Sequence, residues 1–261
     1  MKYLTLGSCL KNEEPYIMDF IKYHRYVGVE HFVFFDREYK PLHDLLEKEP
    51  DIEIIHFPEN PQNIHAEGWA KQINHSRWTT KWLALIDADQ VIVPVHTTDV
   101  KEILKDYEQF ASLQLNWHTF GSSGRIEKGE GSLYERFLMR AKGDAGINNH
   151  TQFICQPSRT LPIRTHDPHH PQLPPHEISV NTNKTQIIGP FGKPPIHDKL
   201  WVAHYISKSK EEWSIKNAKG RADVFGEKMP FDLFDHHDVF CNEEKEERVL
   251  QLWNEAKAVN A

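Results

Sequence analysis

Two carboxylates one residue apart, Asp87 and Asp89, close a run of apolar residues in the stretch WLALIDADQVIVP. A strand followed by D-x-D places both side chains at the mouth of a sheet. Hard oxygen ligands so placed suit Mg²⁺ or Mn²⁺, with waters and phosphate oxygens completing the shell. A cation held there would bridge a diphosphate and neutralise its charge as it leaves. The same residues also allow a nucleophilic carboxylate or a plain solvated turn.

The elements that must position the pair are legible upstream. YLTLGSCL reads as a buried strand ending at Lys11 and Asn12. Pro15 suits a helix start, and Ile17, Phe20, Ile21, His24 and Val27 follow at helical spacing, with Gly28 as the stop. HFVFFD is a second strand ending in Asp36. A short helix around Leu42 to Leu46 leads to DIEIIHF, a third strand. A helix from about Asn63 to Trp78 then leads into WLALID, the fourth. Strands alternating with helices imply an α/β fold with a doubly wound, parallel central sheet. In such sheets ligands gather beyond the carboxyl ends of the strands. Those ends carry Lys11, Asn12 and Glu13, then Asp36, then Asp87 and Asp89.

Further along, ASLQLNW is a strand, FGSSG a turn, and Leu133 to Arg140 a helix-like piece. The glycines of FGSSG fit either close approach to a ligand or a simple turn. From Gln156 to Pro195 the chain is rich in Pro, His and Asn and reads as long loops. LWVAHYI restores a strand, and Ser209-x-x-Glu212 is a capping box opening a helix to about Lys219. The last helix, after Asn242, places Val249, Leu252, Trp253 and Ala256 on one face. No repeat or boundary linker interrupts the 261 residues, so a single domain is expected.

Composition narrows the partners. With 31 basic and 38 acidic residues the net charge is −7, which argues against nucleic acid. Cys9, Cys155 and Cys241 lie far apart without a C-x-x-C, which suits a reducing compartment. MKYLTLGSC is too short for a signal segment, and no apolar run reaches the length of a membrane span. A soluble cytoplasmic protein is expected. The charge around the C-terminal helix (EEKEER) is mixed, so that helix reads as packed on the domain, with peripheral contact at the inner membrane face as the lesser reading. The histidine-rich stretches His166 to His170 and His236 to Asp238 lack zinc-site spacing.

Two resemblances compete for the D-x-D. LIDADQVI is similar to the motif of haloacid-dehalogenase-like phosphohydrolases, which would make Asp87 a nucleophile and Asp89 a general acid. That motif belongs on a first strand, whereas three strands precede this one. Its late G-D-x-x-x-D partner is also missing, since Asn148 stands where Gly143-Asp144 would need an acid. Five blocks in order carry the other resemblance: KNEEPYIMDFIKYHRYVGVEHFVFFD, WLALIDADQVIVP, NWHTFGSSG, ERF and HYISKSKEEWSIKNAKGRAD. Together they resemble glycosyltransferase family 92 and its bacterial relatives of the family-2-like group.

The resemblance implies a GT-A fold and transfer, with inversion, of a sugar from a nucleotide-diphosphate donor to a saccharide or glycolipid hydroxyl. A UDP-sugar is the favoured donor, with galactose a lead, and cell-surface glycan synthesis the setting. Residues 1–95 would form the nucleotide-binding half, 96–223 the acceptor side, and 224–261 a helical extension. Asp87 and Asp89 match the ligands of Mn²⁺ or Mg²⁺ and the donor diphosphate, and His204 in HYISKS matches a third metal ligand. Lys11, Asn12 and Glu13 match the nucleotide loop, and Asp36 the base or ribose contact. Lys208 and Arg221 are expected on the diphosphate, whereas Lys210 and Lys216 read as solvated helix lysines. Pro168 and His169 would line the acceptor side, and Trp117 is a sugar-stacking residue or a core one. An inverting transfer needs a base, with Glu135 the first choice and Asp223 the second. A relative that binds nucleotide sugars without turnover is the non-enzymatic alternative.

Overall fold

A computed structural model describes residues 1–11, 13–36, 40–57, 64–163, 168–218, 230 and 232–259. In chain order the elements are β1 (Lys2–Leu10), α1 (Glu14–Tyr26), β2 (His31–Asp36), α2 (Lys40–Leu46), β3 (Ile52–His56), α3 (Ile64–Ser76) and β4 (Thr80–Leu85). Next come β5 (Gln90–Pro94), α4 (Val100–Leu104), β6 (Ser112–Thr119), α5 (Leu133–Arg136), β7 (Met139–Arg140), β8 (Thr151–Cys155) and β9 (Ser179–Val180). The chain closes with β10 (Leu200–His204), α6 (Lys210–Ala218), α7 (Leu233–Phe240), β11 (Glu244–Lys245) and α8 (Arg248–Val259).

Among the described residues nine strands join in one curled sheet, ordered β3-β2-β1-β4-β8-β6-β10-β5, with β9 beside β6. The pairings β3–β2, β2–β1, β1–β4, β6–β10 and β6–β9 are parallel. β8 runs against both β4 and β6, and β5 runs against β10. The expected mostly parallel α/β sheet is therefore present, with two reversed strands. β1, β2, β4, β6 and β10 all point one way, so their carboxyl ends share one edge of the sheet.

β8 and β7 were not visible as strands in the sequence. TQFIC is five residues long with no alternation, since both of its faces are buried. The piece expected to be helical over Leu133 to Arg140 is one turn, α5, followed by β7 against β11.

Strands buried on both faces explain the continuous apolar runs. In β4, Trp82 and Ala84 face the core under α1, while Leu83 and Leu85 face Trp69 and Ile73 of α3. Pro15 lies in the first turn of α1, whose buried face is Ile17, Phe20, Ile21, Tyr23 and His24. Gly28, at φ 102°, ends the turn after it in the left-handed region that glycine tolerates best. Burying four side chains such as Val249, Leu252, Trp253 and Ala256 fastens α8 to the same core. No helix among the described residues is long and apolar enough to cross a membrane.

Candidate active site

β4 ends one residue before the D-x-D turn. Ile86 N–H still donates to Gly7 O at 3.2 Å, extending the β1 ladder, and then Gln90 N–H donates to Asp87 O at 3.0 Å. That bond closes a tight reversal over Asp87-Ala88-Asp89-Gln90. Gln90 stiffens it from inside: its Oε1 accepts from Asp87 N at 3.2 Å, and its Nε2 donates to Asp87 Oδ2 at 3.3 Å. Gln152 of β8 donates to the same Oε1 at 2.7 Å, so a fully buried amide pair fixes Asp87 from behind. On the far side Tyr205 N–H donates to Asp89 O at 2.8 Å, tying the turn to the end of β10.

This geometry brings Asp89 and His204 together. His204 Nε2 lies 3.7 Å from Asp89 Oδ1, and both side chains are nearly buried. Burial is the main effect on His204 and pushes its pKa down to about 3, outweighing the pull of Asp89. The ring is therefore neutral at ordinary pH, the form that ligates a cation. Its Nδ1 has no hydrogen-bond partner among the described residues. Lys216 of α6 completes the cluster, with Nζ 2.6 Å from Asp89 Oδ2. Burial would raise the Asp89 pKa, but Lys216, His204 and Lys208 together hold it below the usual carboxylate range.

No three His, Cys, Asp or Glu side chains converge as a ready-made metal group among the described residues. The donor chemistry still fits a hard cation. One carboxylate oxygen and one neutral imidazole nitrogen face each other, and Mg²⁺ and Mn²⁺ commonly take few protein ligands, with phosphates and water as the rest.

Lys208 approaches from the loop between β10 and α6. Its backbone is left-handed, at φ 53°, a conformation that costs a non-glycine residue about 1 kcal/mol or more and clusters at functional sites. The surrounding bonds enforce it. Ser209 Oγ and Glu212 form the reciprocal cap of α6 expected from the sequence, with Glu212 N donating to Ser209 Oγ at 3.2 Å and Ser209 N to Glu212 Oε2 at 3.2 Å. Glu212 also takes the Tyr16 hydroxyl at 2.8 Å, and the Lys208 ammonium lies 4.1 Å from the centre of that tyrosine ring. Burial lowers the Lys208 pKa, opposed by the nearby carboxylates of Glu13 and Asp89.

The remaining candidates divide by location. Lys11 follows β1, Glu13 precedes α1, and Asp36 is buried at the end of β2 opposite Leu10, all on the carboxyl edge. Asn12, Arg221, Asp223 and His166 lie outside the described residues. Glu135 is engaged elsewhere: it accepts from Ser132 N at 3.0 Å and pairs with Lys257 of α8, which holds its pKa below the ordinary value. Trp117 is buried, with His150 stacked at 4.8 Å and the rings of His204 and His169 edge-on at 4.3 and 5.5 Å. It serves the site from within the wall. FGSSG is a fastening: Ser122 N and Oγ donate to the Asp238 carboxylate at 2.6 and 2.7 Å, and a Cβ on Gly121 would meet Cys241 O at 2.6 Å.

Three residues of the cluster escaped sequence reasoning. Gln90 stood in plain view inside the motif but is polar and uncharged. Gln152 lay in the unread strand β8. Lys216 reads from the sequence as a solvated helix lysine, although its position six residues beyond the start of α6 places it on the turn that faces Asp89.

Comparison with curated proteins gives no match. The model of glycosyltransferase family 92 matches residues 7–189. The matched stretch is well over half of the chain and runs from β1 past the D-x-D turn and β8 to beyond β9. With that match laid over a parallel sheet whose strand tips gather Asp87, Asp89 and their cationic neighbours, the chain belongs to glycosyltransferase family 92 and is a sugar-transferring enzyme.

Proposed function

We propose that the protein is an inverting, metal-dependent glycosyltransferase that moves a sugar from a nucleoside-diphosphate donor, a UDP-sugar, to a saccharide hydroxyl. The observation that carries this reading is the facing pair Asp89 and His204, two ligand atoms of different chemistry held at the carboxyl edge beside Lys208. Bound there, Mn²⁺ or Mg²⁺ would neutralise charge on the departing diphosphate. Asp89 and His204 would hold it, with Asp87 kept in register by Gln90.

The residues divide the remaining work. Lys11, Glu13 and Asp36, at the first two strand tips, orient the nucleotide. Lys208, fixed over Tyr16, places its ammonium near the leaving phosphate, where a buried positive charge is worth most. The wall of Trp117, His150 and His169 excludes water on the side away from β1. The acceptor hydroxyl attacks the anomeric carbon in line with the leaving diphosphate as its proton passes to a base. Of the two carboxylates proposed from the sequence, Asp223 is favoured for that proton, because the Glu135 carboxylate is held by Lys257 and the Ser132 amide.

Thermal shift with a panel of nucleoside-diphosphate sugars, each with and without Mn²⁺, tests the reading. The expected result is a metal-dependent rise in Tm with UDP-sugars, UDP-galactose being the first to try. A panel in which no nucleotide raises Tm would overturn it.

A further inference from the structure

Asp89 stands between two unlike partners. A neutral imidazole faces one carboxylate oxygen, and the Lys216 ammonium holds the other at 2.6 Å. A third of the Lys216 side chain is exposed, and apart from Asp89 its ammonium has only Ile206 O, at 3.5 Å, as a hydrogen-bond partner among the described residues. It can therefore move without breaking the core.

Charge makes this arrangement unfit for either half of a donor complex alone. Glu13, Asp87, Asp89 and Glu212 lie within electrostatic reach of Lys208 and Lys216, and since Arg136 offsets Glu212, three carboxylates face two ammonium groups. A diphosphate arriving alone meets an excess of negative charge. A divalent cation arriving alone meets a carboxylate already paired with a lysine, which lowers its affinity. Cation and diphosphate together resolve both conflicts. With a cation on Asp89, the Lys216 ammonium, on its flexible four-carbon stem, would have a phosphate oxygen as its next partner.

We propose that Lys216 exchanges partners during donor binding, holding Asp89 beforehand and a phosphate oxygen of the nucleoside diphosphate once a divalent cation occupies Asp89. This rests on the donor site proposed above. The exchange couples the two ligands: each strengthens the other, and by linkage the coupling is reciprocal. Lys216 thereby belongs with Lys208 in the diphosphate site, and the two differ in that Lys208 is locked by its backbone and Tyr16 whereas Lys216 swings.

Isothermal titration on the full chain separates the possibilities, using Mn²⁺ alone, UDP alone, and UDP at saturating Mn²⁺. In Lys216→Met, Mn²⁺ alone should bind more tightly than in the wild type, by about fivefold at the lower end of common coupling strengths. UDP in Mn²⁺ should bind about tenfold more weakly for want of one charge-assisted contact. Lys216→Arg should recover UDP affinity in part. A melting curve confirms folding, and Lys216→Gln carries the same expectations should the Met variant not fold. A merely structural lysine would weaken both ligands or neither, and either result overturns the exchange. Wild-type protein that binds no UDP even with Mn²⁺ would overturn the donor site itself, whereas UDP binding that ignores Lys216→Met overturns only the present inference.

Discussion

Arg136 and Glu212 meet in a two-pronged ion pair, Nη1 to Oε2 at 2.8 Å and Nη2 to Oε1 at 2.9 Å, with 3% and 2% of their side chains exposed. The pair joins α5 to α6 directly behind Lys208. Glu212 accepts from Ser209 and Tyr16 as well, and Arg136 donates to Lys128 O and Gly131 O, so no prong is left idle. Arg136 is the dominant favourable partner, and it helps hold the Glu212 pKa at about 2 against the effect of burial.

Breaking one side of such a pair leaves a buried charge uncompensated. Arg136→Met should therefore cost about 3–5 kcal/mol of stability. Urea unfolding measures it, and a loss below about 1 kcal/mol would mean that water reaches the site and relieves the carboxylate. The donor affinity of any folded remainder should also fall, because the loop carrying Lys208 is built on this pair.

Asp89→Asn keeps the shape of the side chain and removes its charge. Stability should fall, because the charge removed is one that Lys216, His204 and Lys208 favour in the folded chain. Sugar transfer should fall about 100-fold or more, the scale of losing one electrostatic stabiliser of the leaving group. Initial rates with UDP-galactose and a mixed acceptor panel check this, and an Asn variant with wild-type rates would remove Asp89 from the donor site.

Glu135→Gln distinguishes a structural carboxylate from a base. The cap to Ser132 and the tie to Lys257 are both partly exposed, so their loss should cost about 1 kcal/mol or less. Turnover at saturating substrates should stay within about twofold of wild type. A fall in kcat of about a thousandfold would restore Glu135 as the proton acceptor.

Stability should decline on mild acidification. Burial lowers the pKa of His24 to about 3 and that of His118 to about 2, each from an ordinary value of 6.5. Both rings are thus neutral in the folded chain, while the unfolded chain takes up protons below pH 6.5. Each contributes stability that is complete above that pH and is lost progressively as pH falls toward the folded value, by about 1.4 kcal/mol per unit. His24 is fixed in this form by its bonds, since Phe20 O lies 2.8 Å from Nδ1 and Ile92 N–H points at Nε2 from 3.3 Å. Denaturant midpoints between about pH 7.5 and 5 should show the slope, and His24→Gln should flatten it. A midpoint that does not vary over that range would contradict the burial of both rings.

The first half of the fold is readable in the sequence because each element there has its own signal. β1, β2 and β4 are apolar runs ending in charge, α1 has a proline start and a glycine stop, and α6 opens on a capping box. Asp87, Asp89 and His204 could be placed on strand ends by the same reasoning. β8 was hidden because a central strand buried on both faces, yet containing Thr151 and Gln152, shows neither alternation nor a long apolar run. The ion pair that engages Glu135 is not legible in the sequence, because Lys257 lies 122 residues away, whereas the nearby Arg136 and Arg140 are the partners that local spacing offers. Lys216 looked solvated because helical periodicity says which face a residue shares, and nothing about the carboxylate that a distant turn brings opposite.

One further property follows from β6. Its first five residues, Ser112 to Asn116, pair with β8, while Trp117 to Thr119 pair with β10. The sheet thus has a seam, with β4 on one panel and β10 and β5 on the other. The four-residue reversal after β4 is a stitch across that seam: Asp87 hangs from the β4 panel, and Asp89 is sewn to the β10 panel through Tyr205 N. The tight reversal that spaces the two carboxylates is consequently held from both panels, through Tyr205 N on one and through Gln152, by way of Gln90, on the other.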